Sequence, residues 1–477
     1  PSGGEISFEA FLKRAAQLAN ALTASGMAPG DRLAAQIEKS PKALMLYAAC
    51  ARAGIVFLPL NTGYTPQELA YFVENSGAKL LVGDAAKRDA LERVAQENGA
   101  AFHTLNGDGS GSLSDLAARQ PTAFETVARA PDDLAAFLYT SGTTGRSKGA
   151  MLSQANLISN AEVLAAYWAF SSADVLLHAL PIFHTHGLFV ATNIALIAGC
   201  PMIFLPRFEA GEVVRLLPRA TTMMGVPTFY TRLLSEPGFT RDIAAAMRLF
   251  ISGSAPLLEE THRAFEARTG HRILERYGMT ETNMNTSNPY VGERRAGTVG
   301  FPLPGVELRI MEGEEEVAPG EIGVIEVRGP NVFQGYWQMP EKTKDELRED
   351  GFFITGDLGR VDEDGYVQIV GRGKDLIISG GLNIYPKEVE LAIDALDEVL
   401  ESAVIGVPHA DFGEGVVAVV VPKDGKEVTP ETVIGATSAL ARFKRPKAVH
   451  FLQSLPRNTM GKVQKNVLRE RYAATFR

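Results

Sequence analysis

"DLAAFLYTSGTTGRSKGAMLSQANLISNAEVLAAY", residues 133–167, decides how the chain is read. An apolar strand-like run, "DLAAFLYT", feeds directly into hydroxyl residues and glycines that surround Arg146 and Lys148, and a helical pattern follows near Ser153 or Gln154. A flexible linker of this composition would be flanked by polar sequence. A buried strand entering a glycine-rich turn instead aims backbone N–H groups, hydroxyls and a lysine at one cleft, a cradle for phosphate. No register gives the Walker spacing, because Ser147 precedes Lys148 and Gly149 follows it, so this is a different phosphate loop.

Outward from that loop, strands alternate with amphipathic helices. "RLAAQIEKS", "IVFLPLN" and "KLLVGD" read as strands, with "PKALMLYAACARAG" and "TPQELAYFVENSG" as helices between them. The rhythm continues through "CPMIFLP", "MRLFISGSAPL" and "HRILERYGMTE". It predicts an α/β fold with layered parallel-sheet subdomains to about residue 290. From Gly297 short β runs with dense turns predict a smaller β-rich lobe at about 297–371. "GYVQIVGRGKDLIISGG" reads as hairpin-like, and "PKEVELAIDAL" follows as a helix opened by proline. The expected division is an N-terminal domain of residues 1–371 and a small α+β domain of residues 372–477.

Composition agrees with a large folded protein. At 477 residues the chain is too long for one core, and its 45% hydrophobic and 22% charged residues are globular proportions. The formal net charge of −9 offers no global attraction to nucleic acid or anionic lipid. Cys50 and Cys200, far apart in sequence, fit a reducing compartment, the cytoplasm. The most apolar run, Gly187 to Pro206, is broken by Asn193, glycines and a proline, and reads as a buried helix followed by a buried strand rather than a membrane span. The amino terminus is expected to enter an amphipathic helix directly. A monomer or weak homo-oligomer without nucleic-acid partners or membrane insertion is expected.

Further motifs give the loop its company: "PIFHTHG" (181–187), "SGSAPL" (252–257), "YGMTET" (277–282), "FFITGDLG" (352–359) with "GRGKDLIISGGLNIYPKEVE" (371–390), and "LPRNTMGKVQK" (455–465). In this order they resemble the acyl-adenylate-forming superfamily of acyl-CoA synthetases, luciferases and peptide-synthetase adenylation domains, over nearly the whole chain. The resemblance implies a reaction of carboxylate with ATP to give acyl-AMP and pyrophosphate, followed by CoA thiol attack, with Mg²⁺ as cofactor and ATP and CoA as cosubstrates.

It also implies roles. Thr140, Ser141, Gly142, Thr143, Thr144 and Lys148 hold the β and γ phosphates. Gly253, Ser254 and Ala255 line the site, Tyr277 and Gly278 border adenine, Thr280 meets the α-phosphate, and Glu281 holds Mg²⁺. Asp357 takes the ribose hydroxyls and Arg372 adds a ribose or phosphate contact. Lys462 bridges the carboxylate and α-phosphate, with Lys465 as its rival in register. Lys374 is the hinge about which the small domain turns, bringing Gly380 and Gly381 to the CoA channel.

His184 and His186 raise a metal reading, but no third ligand lies close and the setting is apolar. The resemblance places His184 near the acyl pocket and the thiol path. For the acid, Arg232 and Arg276 suit a second carboxylate, which guanidinium grips bidentately, with Ser254 and His184 beside them. "HALPIFHTHGLFVATN", "ERYGMTETNMNTSNPY" and "LPRNTMGKVQKNVLRE" are similar to malonyl-CoA synthetases, implying malonate:CoA ligation with methylmalonate tolerated. A ligase for another short-chain or aromatic acid is the alternative, and the bland reading leaves Arg232 on a solvated helix face.

Overall fold

The computed structural model describes residues 4–140, 147–379, 382–409, 411–458 and 461–476. Its first sheet has six strands, in the order Ala101–Thr104, Leu80–Gly83, Arg32–Gln36, Val56–Pro59, Leu134–Thr140 and Lys148–Ser153. All neighbours are parallel except the last pair, which is antiparallel across the glycine-rich turn. The crossover helices start and stop where side chains satisfy their ends. Ser40 caps Pro41–Ala53, and Thr65 with Glu68 forms a capping box on Pro66–Ser76. Gly54 and Gly77 close these helices in left-handed conformations.

A second sheet of seven strands spans Leu176–His178 to Phe301–Pro302, and its centre is the parallel set Thr222–Gly225, Leu249–Ser252 and Leu274–Met279. A third, five-stranded antiparallel sheet runs from Glu307–Glu312 to Val367–Arg372. A fourth is built from Ile377–Ser379, Leu382–Ile384, Val399–His409 and Gly413–Pro422, with Ala448–Phe451 pairing onto the last of these. The molecule is thus mixed α/β, with a large N-terminal domain and a small C-terminal one whose core is separately packed around Val389, Val404, Val416 and Val420.

Two local expectations change. Val367–Arg372 and Ile377–Ser379 do not form a hairpin; the first pairs within the third sheet, the second within the fourth, and a short 3-10 turn at Gly373–Asp375 joins them. The apolar run after Gly187 opens as a π-helical stretch, His186–Thr192, before the helix Asn193–Ala198. Its strand, Met202–Phe204, is only half-buried because it lies at the end of its sheet. Among the described residues no helix is long and apolar enough to cross a membrane.

The strand Leu274–Met279 turns sharply into Asn283–Ser287, and its register shifts between Tyr277 and Gly278. A Cβ on Gly278 would lie 1.9 Å from the Asn283 carbonyl oxygen, so only glycine permits this bulge. Gly278→Ala is therefore expected to lower stability by about 1–3 kcal/mol, the usual cost of overpacking, read as a lower urea midpoint. An unchanged midpoint would show that the bulge relaxes freely.

Candidate active site

One end of the candidate site is set by backbone pairing. Thr140 ends one strand directly opposite Lys148, which begins the next. Ser141, Gly142, Thr143 and Thr144 lie outside the described residues. The Thr140 hydroxyl oxygen is buried without a hydrogen-bond partner among the described residues. Lys148 Nζ sits 3.3 Å from Glu346 Oε1 and 4.1 Å from the centroid of the Tyr336 ring. The Tyr336 hydroxyl lies 2.6 Å from Glu346 Oε2 and 3.1 Å from Glu281 Oε1.

Glu281 follows Thr280 in the turn between Met279 and Asn283 and is 5% exposed. Burial raises its pKa, against the opposing pull of Tyr336, Lys148 and Arg372. A buried carboxylate beside a phosphate-type loop suits Mg²⁺, which takes one or two protein carboxylates and completes its octahedron with phosphate oxygens and water. Among the described residues no group of three or more His, Cys, Asp or Glu is placed to hold a metal, so substrate oxygens would supply the remaining ligands.

At the other end, strand register places Asp357 opposite Arg372. Asp357 is 4% exposed; its Oδ2 accepts from the Tyr277 hydroxyl at 2.6 Å, and Arg372 Nε lies 3.0 Å from Oδ1. Each carboxylate oxygen keeps a second lone pair for a ligand hydroxyl.

Arg276, one residue before Tyr277, is 3% exposed, yet its Nε and Nη2 have no hydrogen-bond partner among the described residues. Burial pushes its pKa down to about 9, so the fold holds a desolvated guanidinium with unused donors. Room for it comes from Gly253, where a Cβ would fall 2.3 Å from Arg276 Cζ. The next residue, Ser254, takes the left-handed conformation at φ +72°, uncommon for a residue with a side chain, and its hydroxyl lies 3.2 Å from His186 Nδ1. Ala255 follows, half-buried, in the same bend.

His186, not singled out from sequence as a substrate contact, therefore joins this pocket, with Nε2 buried and unpartnered. His184 Nε2 is also unpartnered and buried. Burial, then the charge of Lys462, pushes His184 down to about 3; burial, then Arg276, holds His186 well below the usual range. Both rings are neutral near pH 7. Arg232, by contrast, is exposed in the last turn of Pro227–Ser235, with no ion pair among the described residues. The structure brings Arg276 to the histidines and leaves Arg232 at the surface.

Lys462 arrives from the small domain on a tight loop. Asn458 N–H donates to the Lys462 carbonyl at 2.9 Å, Lys462 N–H donates back to Asn458 Oδ1 at 3.0 Å, and Gly461 between them has φ +76°. The loop faces Pro227–Ser235, because a Cβ on Gly461 would lie 3.9 Å from the Thr228 hydroxyl. The Lys462 side chain keeps solvent access by area but is sunk among charges: desolvation, then Arg372, lowers its pKa, while Asp357 and Glu281 oppose the shift. Lys465 is committed elsewhere, with its Nζ 2.5 Å from the buried Glu390. Lys374 is exposed in the 3-10 turn that joins the domains; Gly380 and Gly381 lie outside the described residues.

A cavity of about 300 Å³ abuts the site, lined among others by Lys39, Leu60, Phe183, Phe208 and Phe229. Lys39 Nζ lies 2.8 Å from the His178 carbonyl, and Phe183 packs on the His184 ring with centroids 4.5 Å apart.

The neutral histidines fix a pH dependence. His184, His186 and His178 all have folded pKa values below the 6.5 of the unfolded chain. Between those values the unfolded state binds more protons, so stability is full above pH 6.5 and falls as pH drops. The slope is at most about 1.4 kcal/mol per pH unit for each histidine. His184→Gln should flatten the fall in urea midpoint between about pH 6.5 and 4; a slope as steep as the parent's contradicts a neutral His184.

Residues 2–337 match the family described as AMP-binding enzyme, and residues 388–462 match its C-terminal domain. A malonate–CoA ligase of Arabidopsis thaliana is 37% identical over 452 residues, covering 88% of this chain and 74% of that protein. The ATP-bound crystal structure of MatB from Rhodopseudomonas palustris superposes with a TM-score of 0.98 at 59% identity, over 100% of this chain and 95% of that one. The apo crystal structure of MatB has the same identity and coverage but a TM-score of 0.87. With a match across most of its length and a second across its small domain, the chain belongs to the AMP-binding enzyme family.

Proposed function

We propose that the chain is a malonate–CoA ligase of the ATP-dependent, AMP-forming type, making malonyl-CoA from malonate, ATP and CoA. The observation that carries the choice of acid is Arg276, a buried guanidinium with unused Nε and Nη2 donors. A second carboxylate would satisfy both in a fork, which a monocarboxylic chain cannot do. The Arabidopsis malonate–CoA ligase among its relatives supports the same reading.

In the first half-reaction an anionic carboxylate must approach an anionic α-phosphate, so donors aimed at developing charge are the largest available contribution. Thr140, Lys148 and the intervening loop grip the departing phosphates, and Thr280 meets the α-phosphate. Asp357 and Arg372 hold the ribose, with Tyr277 against the base. Mg²⁺, held by Glu281, would neutralise phosphate charge. Arg276, His186 and Ser254 fix the distal carboxylate, and the neutral His184 borders the reacting carboxylate without adding charge. Lys462 places its ammonium between carboxylate and α-phosphate; desolvation, then the charge of Arg372, lowers its pKa.

The closer match to ATP-bound than to apo MatB supports an adenylating arrangement of the domains. For the thioester step the small domain, bounded near residues 371–372, turns about Lys374 and carries Lys462 away, so that one site serves two reactions. The cavity beside Phe183 offers the thiol a path to His184. The free, buried cysteines support a cytoplasmic placement.

AMP release measured over a panel of mono- and dicarboxylic acids with ATP, Mg²⁺ and CoA tests the assignment. Malonate should exceed acetate and butyrate by about 10³ in kcat/KM, with methylmalonate intermediate; a monocarboxylic or aromatic acid as best substrate refutes it. Lys462→Ala should lose about 10² or more in adenylate formation while still converting supplied malonyl-AMP to thioester, and Lys465→Ala should not separate the half-reactions. Equal loss of both steps in Lys462→Ala would remove the role.

A further inference from the structure

We infer that Glu346 is a positioning residue which occupies Lys148 when pyrophosphate is absent and thereby eases pyrophosphate release. The inference rests on the reading of Lys148 as a phosphate-holding residue.

Both Glu346 oxygens approach Lys148 Nζ, at 3.3 and 3.4 Å. The carboxylate is held in place from two further sides, and one of those holders is itself fixed. Tyr336 donates its hydroxyl to Oε2 at 2.6 Å, Lys342 Nζ reaches Oε1 at 2.8 Å, and the backbone fixes Tyr336 itself through a bridge to Ala150 and a 2.8 Å bond from Trp337 N–H to the Gly149 carbonyl. The segment carrying Glu346 is therefore stitched to the strand carrying Lys148, although the residues are 198 apart in sequence.

This geometry makes Glu346 a competitor for the ammonium. Polyphosphate draws Lys148 away, and the carboxylate left behind lies close to the bound phosphates, where like charge disfavours them. Lys342 stays paired with Glu346 and limits that repulsion. As pyrophosphate departs, Lys148 regains an anion at once and is not left as a part-buried, unpaired charge. Uniformly tight binding of ATP and pyrophosphate would slow product release, so a resident anion favours turnover.

The test is pyrophosphate product inhibition of thioester formation, measured with the intact chain and its Mg²⁺ in Glu346→Gln, Lys342→Gln, Lys148→Ala and the double variant Glu346→Gln/Lys148→Ala. Glu346→Gln should lower the pyrophosphate Ki and the ATP KM about fivefold, the scale of one part-buried ion pair, with the acid KM unchanged. A damaged fold would weaken binding, so the sign separates the role from a structural defect. Lys342→Gln, at a half-buried position, should raise the Ki by freeing Glu346 to hold Lys148 harder. The double variant should be no tighter than Lys148→Ala. If Lys148→Ala weakens pyrophosphate while Glu346→Gln and Lys342→Gln leave the Ki unchanged, the inference fails and the phosphate role of Lys148 stands. If Lys148→Ala leaves the Ki unchanged, the phosphate role fails and the inference falls with it.

Discussion

The site is organised around a buried cation that has no counter-ion among the described residues. Isolated charge in a protein interior costs several kcal/mol unless it is paired, so the Arg276 guanidinium, with Nε and Nη2 unused, is stable only because the surrounding fold enforces it. Gly253 gives the space, since any side chain there would collide with the guanidinium. Ser254, strained at φ +72°, turns its hydroxyl to His186. Both histidines are kept neutral, which avoids adding further positive charge beside Arg276 and Lys462. What is costly in the free protein becomes selectivity, because an acid with a second carboxylate removes the penalty and an acid without one leaves it in place.

The rest of the architecture delivers groups to that point. The strand Leu274–Met279 and the turn after it carry Arg276, Tyr277, Thr280 and Glu281 in one short segment, so the proposed acid, base, phosphate and metal contacts would share one element. The third sheet supplies Asp357 and Arg372 as register partners. Lys462 comes from a separately packed domain, on a loop carrying its own hydrogen bonds, which would suit the proposed role of a group needed in one step and unwanted in the next.

Much of this was legible in sequence because it is local. A strand, a glycine-rich turn and a lysine mark the phosphate loop, and capping residues mark the helices that frame it. The glycine before Lys462 decided its register over Lys465 in sequence, but what engages Lys465 was invisible there: Glu390, 75 residues away, occupies it. His186 was missed as a pocket residue because its partner, Ser254, is 68 positions distant and the "HTH" pattern drew attention to metal binding. Arg232 and Arg276 looked equivalent as charges, and burial alone separates them. Glu346 carried no signal, lying in an ordinary charged helix whose end happens to meet Lys148. The hairpin-like reading near residue 372 failed because alternating apolar residues report strands but not which sheet receives them.

The central claim is that unused guanidinium donors at Arg276 choose the acid. Its most direct test is kcat/KM for malonate against propionate, acids that differ at the distal group, in the parent protein and in Arg276→Ala. The account predicts a parent preference of about 10³ or more that collapses by at least about 100-fold in the variant, chiefly through loss of activity with malonate. A variant that keeps the parent's preference would contradict it.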